Sequence, residues 1–141
     1  MKILSGPYTR VYLKPAQFDQ FMLGAKSLLN AKIDFSFQYE PIQATVYGIS
    51  FEGDKGGYFS LAATEIEIED LPDTWKYTRL TVAVDDAHEA VETLRAQGFK
   101  VIQEVEPAPT GFQSRVALSP EFYVEIVQWV DEIKEQNEKT Y

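Results

Sequence analysis

The sequence predicts an α+β domain of two tandem βαβββ modules, which form one curved mixed sheet with the helices on its outer side. Strand-like and helix-like hydrophobic periods alternate twice in the same order along the 141 residues. Residues 9–13 (TRVYL) at the start of the first half correspond to residues 78–82 (TRLTV) in the second. Neither half can bury a helix and a sheet face alone, so we expect the two to close on one another within a single domain.

The first module is assigned to residues 8–63. Residues 10–13 predict a strand, and Pro15 then suits the start of a helix, because an early helical position needs no N–H donor. Apolar residues follow at helical spacing: Phe18, Phe21, Met22, Ala25, Leu28 and Leu29. A period of two over residues 33–39 predicts a half-buried strand. Two β-rich runs, at 45–51 and 58–62, are joined by turn residues at 53–57 and complete the module.

The second module is assigned to residues 77–128. Leu80, Val82 and Val84 alternate as in a strand. Asp86 with Glu89 three residues later resembles a capping box. The apolar stripe of the helix that follows consists of Ala87, Ala90, Val91 and Leu94, and Gly98 provides its C-terminal stop. Three further strands are expected at 99–104, 112–118 and 122–127.

Two segments lie outside the modules. Residues 64–76 contain five acidic residues, namely Glu65, Glu67, Glu69, Asp70 and Asp73, and predict a solvated acidic linker with a short edge strand through Ile66 and Ile68. Residues 129–141 are polar and predict a C-terminal surface helix or tail.

Composition excludes several classes of function. The formal net charge of −9, from 13 basic and 22 acidic residues, argues against nucleic-acid binding, which needs a basic face. The absence of cysteine excludes a disulfide scaffold, a thiol nucleophile and thiolate metal sites. The chain has no apolar run long enough for a membrane span and no signal-peptide pattern at its start, so we expect a cytoplasmic protein with no membrane partner.

The second module resembles those of the vicinal oxygen chelate superfamily, which includes glyoxalases, bleomycin-resistance proteins and extradiol dioxygenases. The resemblance rests on the order of residues 80–86 (LTVAVDD), 98–101 (GFKV) and 119–126 (SPEFYVEI). The first module matches in layout, so that the resemblance extends over residues 8–128. It implies a cavity on the concave face of the sheet.

The resemblance also implies metal ligands, namely a histidine on the first strand and a glutamate on the last strand of the modules. The first-strand positions fall on Arg10 and Arg79, and the last-strand positions on Ser60 and Glu125. Arginine cannot ligate a divalent cation, because its guanidinium stays protonated and has no free lone pair. We therefore expect no bound metal and no cofactor, and none of the metal-dependent activities of the superfamily.

Strand alternation selects the candidate residues of the cavity. Val11, Leu13, Leu80, Val82, Val124 and Ile126 should face the helices. The residues between them should face the cavity, and the candidate ligand-binding residues are Arg10, Tyr12, Arg79, Thr81, Tyr123 and Glu125. Two arginines and a glutamate could hold an anionic or polar ligand through charge-assisted hydrogen bonds. Alternatively, Arg79 and Glu125 pair with one another and fill the cavity.

Other motifs carry less chemistry. The only histidine, His88, is expected on the exposed face of the second-module helix and not at a site. The aromatic residues Phe35, Phe37, Tyr47, Phe51, Tyr58 and Phe112 could line a pocket, although for most of them a core position is the simpler interpretation. Without cysteine and with one exposed histidine, no nucleophilic triad is indicated. Residues 53–57 suit a hairpin and not a phosphate loop.

Three functions follow from these observations. The first is a metal-free small-molecule-binding module, similar to the antibiotic-sequestering proteins of the superfamily. The second is a metal-independent lyase or isomerase that uses Tyr12, Tyr123 or Glu125 as acid or base, so the sequence leaves open whether the protein is an enzyme. The third is a structural or regulatory protein that has lost the cavity. We also expect a homodimer, because an open sheet has edge strands that need covering.

Overall fold

The computed structural model describes residues 2–51 and 58–129. Its first half contains, in order, β1 (Ile3–Leu13), α1 (Phe18–Leu29), β2 (Ala31–Tyr39), β3 (Ala44–Phe51) and β4 (Tyr58–Ala63). A short helix, α2 (Asp73–Lys76), precedes the second half, which contains β5 (Thr78–Val84), α3 (Ala87–Ala96), β6 (Lys100–Ala108), β7 (Gly111–Ser119) and β8 (Phe122–Trp129). Apart from α2, this is the predicted order of strands and helices. The predicted turn at 53–57 lies outside the described residues, as does all of the predicted C-terminal tail after residue 129.

The eight strands of the described residues belong to one mixed sheet in the order β2-β3-β4-β1-β5-β8-β7-β6. Within each half the first and last strands are parallel neighbours, β1 with β4 and β5 with β8. The two halves meet where β1 pairs antiparallel with β5. The predicted fold class, an α+β domain with a curved mixed sheet, is confirmed.

The two long helices cover one face of this sheet. Helix α1 buries Met22 and Ala25, and Val11 and Leu13 of β1 pack against the same cluster. Helix α3 buries Ala87, Ala90 and Val91 together with Val116 and Ile126. Because successive strand residues point to opposite faces, this packing directs the alternate residues of each strand to the other, concave face.

Helix α1 departs from its predicted stripe at one end. Leu28 was expected on the buried face but is 83% exposed. It lies six residues after Met22, which rotates it by about 120° from that residue around the helix axis. The signals of α3 are confirmed: the Asp86 side chain accepts a hydrogen bond from the backbone N–H of Glu89 at 3.0 Å, and Gly98 has a φ of +93°. His88 lies on the exposed side of this helix.

The segment between the halves differs from the solvated linker expected at residues 64–76. Instead of an edge strand through Ile66 and Ile68 it forms a 3-10 turn (Ile68–Asp70) followed by α2. Its acidic residues are exposed, but Leu71 and Trp75 are buried in a cluster with residues of β3 and β4. These two apolar side chains fold the segment onto the concave side of the sheet. Within the described residues, no helix is long and apolar enough to cross a membrane.

Candidate functional site

A cavity lies on the concave face, between the two halves of the sheet. The space between its walls that no atom fills is about 540 Å³, part of which is open solvent at its mouth. The aromatic part of its lining, which we call the aromatic side, consists of Tyr8, Phe35, Phe37, Tyr39, Trp75 and Trp129. The polar part, which we call the polar side, includes Arg10, Ser60, Thr81, Thr110, Gln113 and Glu125. Such an apolar enclosure with a few convergent polar groups is the usual form of a small-molecule site.

Glu125 of β8 is the centre of the polar side. Its side chain is 7% exposed, and both of its carboxylate oxygens have cationic partners. Oε1 lies 2.6 Å from Nη2 of Arg10 and also accepts a hydrogen bond of 2.9 Å from the hydroxyl of Thr81. Oε2 lies 2.8 Å from Nη2 of Arg115. We call Arg10, Arg115 and Glu125 the charge cluster.

The two arginines of the charge cluster have different environments. Arg115 uses all three of its nitrogens: Nε donates to the hydroxyl of Thr78 at 2.9 Å, Nη1 donates to Gln103, and Nη2 donates to Glu125. Arg10 uses only Nη2, which donates to Glu125 and, at 3.1 Å, to Thr81. The Nε and Nη1 atoms of Arg10 are buried and have no hydrogen-bond partner among the described residues. Arg115 is thus fully engaged in the fold, whereas Arg10 retains donors.

Trp75 covers the charge cluster. Its ring lies 4.6 Å from the guanidinium carbon of Arg10 and 5.0 Å from that of Arg115, within the range of cation–π contacts. The ring also packs against Tyr39 of β2, at 4.9 Å between centroids. Gln113 of β7 donates a hydrogen bond of 3.2 Å to the Tyr39 hydroxyl. The hydrogen bond between Gln113 and Tyr39 joins β7 of the second half to β2 of the first half across the cavity.

The ionisation of the charge cluster follows from its contacts. Burial alone would raise the pKa of Glu125, but the adjacent Arg115 and Arg10 outweigh burial and hold the pKa below its ordinary value. Burial lowers the pKa of Arg115, an effect that Glu125 opposes. Arginine nonetheless stays protonated in proteins. Two guanidinium groups and one carboxylate therefore leave the charge cluster with one net positive charge.

Three of the six predicted site residues line this cavity, namely Arg10, Thr81 and Glu125. Whether they bind a ligand stays a prediction. Tyr12 is not among the residues that line the cavity, and its hydroxyl donates to the backbone carbonyl of Trp75. Tyr123 packs edge-on against Tyr77, with ring centroids 5.7 Å apart.

The predicted position of Arg79 in the cavity, and its pairing with Glu125, are wrong. Arg79 is exposed, and its Nε donates to the backbone carbonyl of Glu121 at 3.1 Å. The physical reason is an irregularity in the pairing of β5 with β8 between Thr78 and Leu80. Such a bulge interrupts the alternation of side chains, so Thr78 joins Thr81 on the inner face and Arg79 faces outward.

Sequence reasoning missed Arg115, Gln113, Trp75 and Trp129. Strand alternation in β7 provided a signal for the first two, because Gln113 and Arg115 are separated by one residue and share a face. Trp75 lies within residues 64–76, whose acidic residues predict a solvated linker. Trp129 was assigned to the C-terminal tail but is the last residue of β8 and is 9% exposed.

The predicted aromatic residues divide between cavity and core. Phe35 and Phe37 line the cavity, whereas Tyr47 and Phe51 pack in the α1 layer. Tyr58 lies against Tyr8, and Phe112 is 41% exposed. The Phe35 ring lies over Gly48 of β3, where an added Cβ would be 2.4 Å from Cε1 of the ring. Glycine at position 48 therefore provides the space that Phe35 occupies.

The fold is that of the vicinal oxygen chelate superfamily. A methylmalonyl-CoA epimerase from Mycobacterium tuberculosis matches with a TM-score of 0.70 and 11% identity over 94% of this chain and 93% of that one. The Streptomyces coelicolor epimerase in complex with 2-nitronate-propionyl-CoA matches with a TM-score of 0.67 and 10% identity over 92% and 97% of the two chains. A hypothetical protein from Methanosarcina mazei matches with a TM-score of 0.60 and 20% identity over 92% and 95%.

No protein-family model matches the sequence, and no curated protein does. The similarity to solved structures therefore establishes the fold, and the chemistry has to be argued from the residues of this chain.

The residues at the superfamily's metal position do not fit a divalent metal. Arg10 pairs with Ser60 across β1 and β4, and Thr81 pairs with Glu125 across β5 and β8. The first-strand position of the second half is therefore Thr81 and not Arg79. Both oxygens of Glu125 are already bound to guanidinium groups. Among residues 2–51 and 58–129, no group of three or more histidine, cysteine, aspartate and glutamate side chains is arranged to hold a metal ion.

Proposed function

We propose that this chain is a metal-free small-molecule-binding protein and that the concave cavity is its binding site. The observation that carries the proposal is the state of Arg10, which lines the cavity and whose buried Nε and Nη1 have no hydrogen-bond partner among the described residues. Buried donors are normally hydrogen-bonded, because an unmade hydrogen bond costs free energy. A ligand that accepts hydrogen bonds from Arg10 would remove this cost.

The alternative function, a metal-independent lyase or isomerase, would need Glu125, Tyr12 or Tyr123 as its acid or base, and the surroundings of these residues favour it less than they favour binding. The lowered pKa of Glu125 and its two arginine partners make it a weak base. Burial raises the pKa of Tyr12, whose hydroxyl already donates to Trp75. Tyr123 does not line the cavity. Binding without proton transfer is therefore the function we favour.

The proposal predicts ligand binding that does not depend on metal. Thermal unfolding of the purified protein should be measured with a panel of small organic acids, amides, amines and acyl-CoA esters, once with EDTA and once with added zinc, manganese or cobalt. A ligand at 100 times its dissociation constant adds about 2.7 kcal/mol to the free energy of unfolding. We expect the same stabilisation in EDTA as in metal. Stabilisation that appears only with metal would contradict the proposal.

We also propose that the protein is a homodimer. Strands β2 and β6 end the sheet, and such edges are commonly covered by association. Ile33 on the edge strand β2 and Leu28 on α1, the helix that contacts β2, are exposed apolar side chains. Light scattering at micromolar concentration should give about 32 kDa, twice the 16.1 kDa of one chain. A mass of one chain would refute the dimer.

A further inference from the structure

We infer that the ligand of the cavity is a small organic anion with a flat apolar body, that is, an aromatic carboxylate or an acid of similar shape. Its anionic group would accept hydrogen bonds from Arg10, and its body would lie along the aromatic side of the cavity. This inference rests on the proposed function, to which it adds the chemical class of the ligand.

The charge of the site provides the first argument. Arg10, Arg115 and Glu125 have side chains that are at most 7% exposed, and together they carry one net positive charge. An uncompensated buried charge is unfavourable. A monovalent anion beside Arg10 would make the charge cluster neutral. The net charge of the whole chain is −9, so the chain as a whole does not attract anions. Anion binding would therefore be due to the local positive charge of the charge cluster.

The available donors provide the second argument. A guanidinium has five N–H hydrogens. Those of Arg10 Nη2 are used by Glu125 and Thr81, which leaves three, at Nε and Nη1. Trp75 packs on the face of the guanidinium and contributes no acceptor there. A ligand oxygen that accepts from these donors would lie in the plane of the guanidinium. A carboxylate, which has only acceptors, suits these donors better than an amide or an amine does.

The aromatic side indicates the shape of the ligand body. The rings of Phe35 and Phe37 are nearly parallel, with an interplanar angle of 12° and centroids 6.4 Å apart. Trp129 meets Phe35 edge-on at 5.6 Å, and the two residues line the same cavity. Flat rings stack or pack edge-on against such walls more favourably than branched aliphatic groups do.

Four probes separate charge from shape: benzoate, its neutral isostere benzamide, the cation benzylamine, and propionate, which has the charge without the ring. Calorimetric titration of the unmodified protein at pH 7.5 should show benzoate binding at least tenfold more tightly than benzamide, since a hydrogen bond to a charged group contributes about a factor of ten or more. Propionate should bind more weakly than benzoate, and benzylamine should not bind.

Variants at the two arginines locate the binding site. We expect R10K, which keeps the charge beside Glu125 but lacks the guanidinium, to weaken benzoate binding at least tenfold. The matched control is R79M, which removes an exposed arginine outside the cavity and should change the affinity less than twofold. Circular dichroism establishes that each variant is folded. The comparison of probes on the unmodified protein decides the ligand class even where R10K fails to fold.

The outcomes distinguish the inference from the proposed function. If benzamide or benzylamine binds as tightly as benzoate, or if R79M loses as much affinity as R10K, the ligand class is wrong although the cavity binds small molecules. If none of the four probes binds at millimolar concentration, the inference is also overturned. The proposed function itself fails only if binding by the wider panel requires added metal or if that panel contains no ligand.

Discussion

Replacing Glu125 with glutamine is expected to lower the free energy of unfolding by about 3–5 kcal/mol, because it removes the counter-ion of two buried guanidinium groups. The Arg10 and Arg115 side chains are 2% and 1% exposed, so solvent cannot screen the charges that remain. Glutamine keeps the size of the side chain. The decrease in the free energy of unfolding is therefore due to the lost charge and not to an empty space in the core. Urea unfolding followed by circular dichroism measures it.

The matched control for this substitution is E104Q. Glu104 also pairs with an arginine, Arg95, but both side chains are well exposed. Exposed pairs are screened by water and salt, so we expect little change in stability. If E125Q were as mild as E104Q, the charge cluster would be solvated and the argument for an anionic ligand would lose its basis.

The stability of the unmodified protein and that of E125Q should depend differently on pH in acid. Because the folded-state pKa of Glu125 lies below its unfolded value, its contribution to stability is complete above the unfolded pKa and is lost as the pH falls through the folded pKa. The difference in stability between the unmodified protein and E125Q should therefore be constant near neutral pH and narrow in acid. A difference that grew on acidification would contradict the lowered pKa.

Replacing Trp75 with alanine is expected to cost about 3–5 kcal/mol, the range for removing a large aromatic side chain from a core. Trp75 is 5% exposed and contacts both guanidinium groups and Tyr39. Its loss would leave the charge cluster open and detach residues 64–76 from the concave side. Urea unfolding measures the loss, and the near-ultraviolet circular dichroism of the aromatic residues should weaken.

Two variants make the effect of Trp75 interpretable. E69A alters an exposed residue of the same segment and should leave stability within about 0.5 kcal/mol. W75F keeps an aromatic ring and should lie between the unmodified protein and W75A. If W75A were as stable as E69A, residues 64–76 would behave as the solvated linker that their composition suggests.

The layout of the fold was predictable because it depends on local periods. The switch from a period of two to helical spacing, the cap at Asp86 and the stop at Gly98 are short-range signals, and all appear in the structure. The repeated segments at 9–13 and 78–82 indicated two halves. These signals do not depend on which strands are neighbours.

The site was predictable only where alternation continued without interruption. Arg10, Thr81 and Glu125 were correctly placed on the concave face, whereas Arg79 was not, because the irregularity between Thr78 and Leu80 is set by pairing with β8. The role of Trp75 depends on tertiary packing against β3 and β4. The five acidic residues near it in the sequence predict an exposed segment and give no sign of this packing. The composition of residues 64–76 predicted the exposed acidic side chains of the segment but not its buried ones, Leu71 and Trp75.

The two halves, which meet where β1 pairs with β5, differ in whether their buried charges are balanced within the half. The second half contains both members of a balanced pair, Arg115 and Glu125, whereas Arg10 reaches its carboxylate only across the boundary between the halves. Separating the halves would leave Arg10 without its counter-ion but would keep the pair of Arg115 and Glu125 together. The second half, which supplies the carboxylate, is therefore the one whose buried charges balance without the other half.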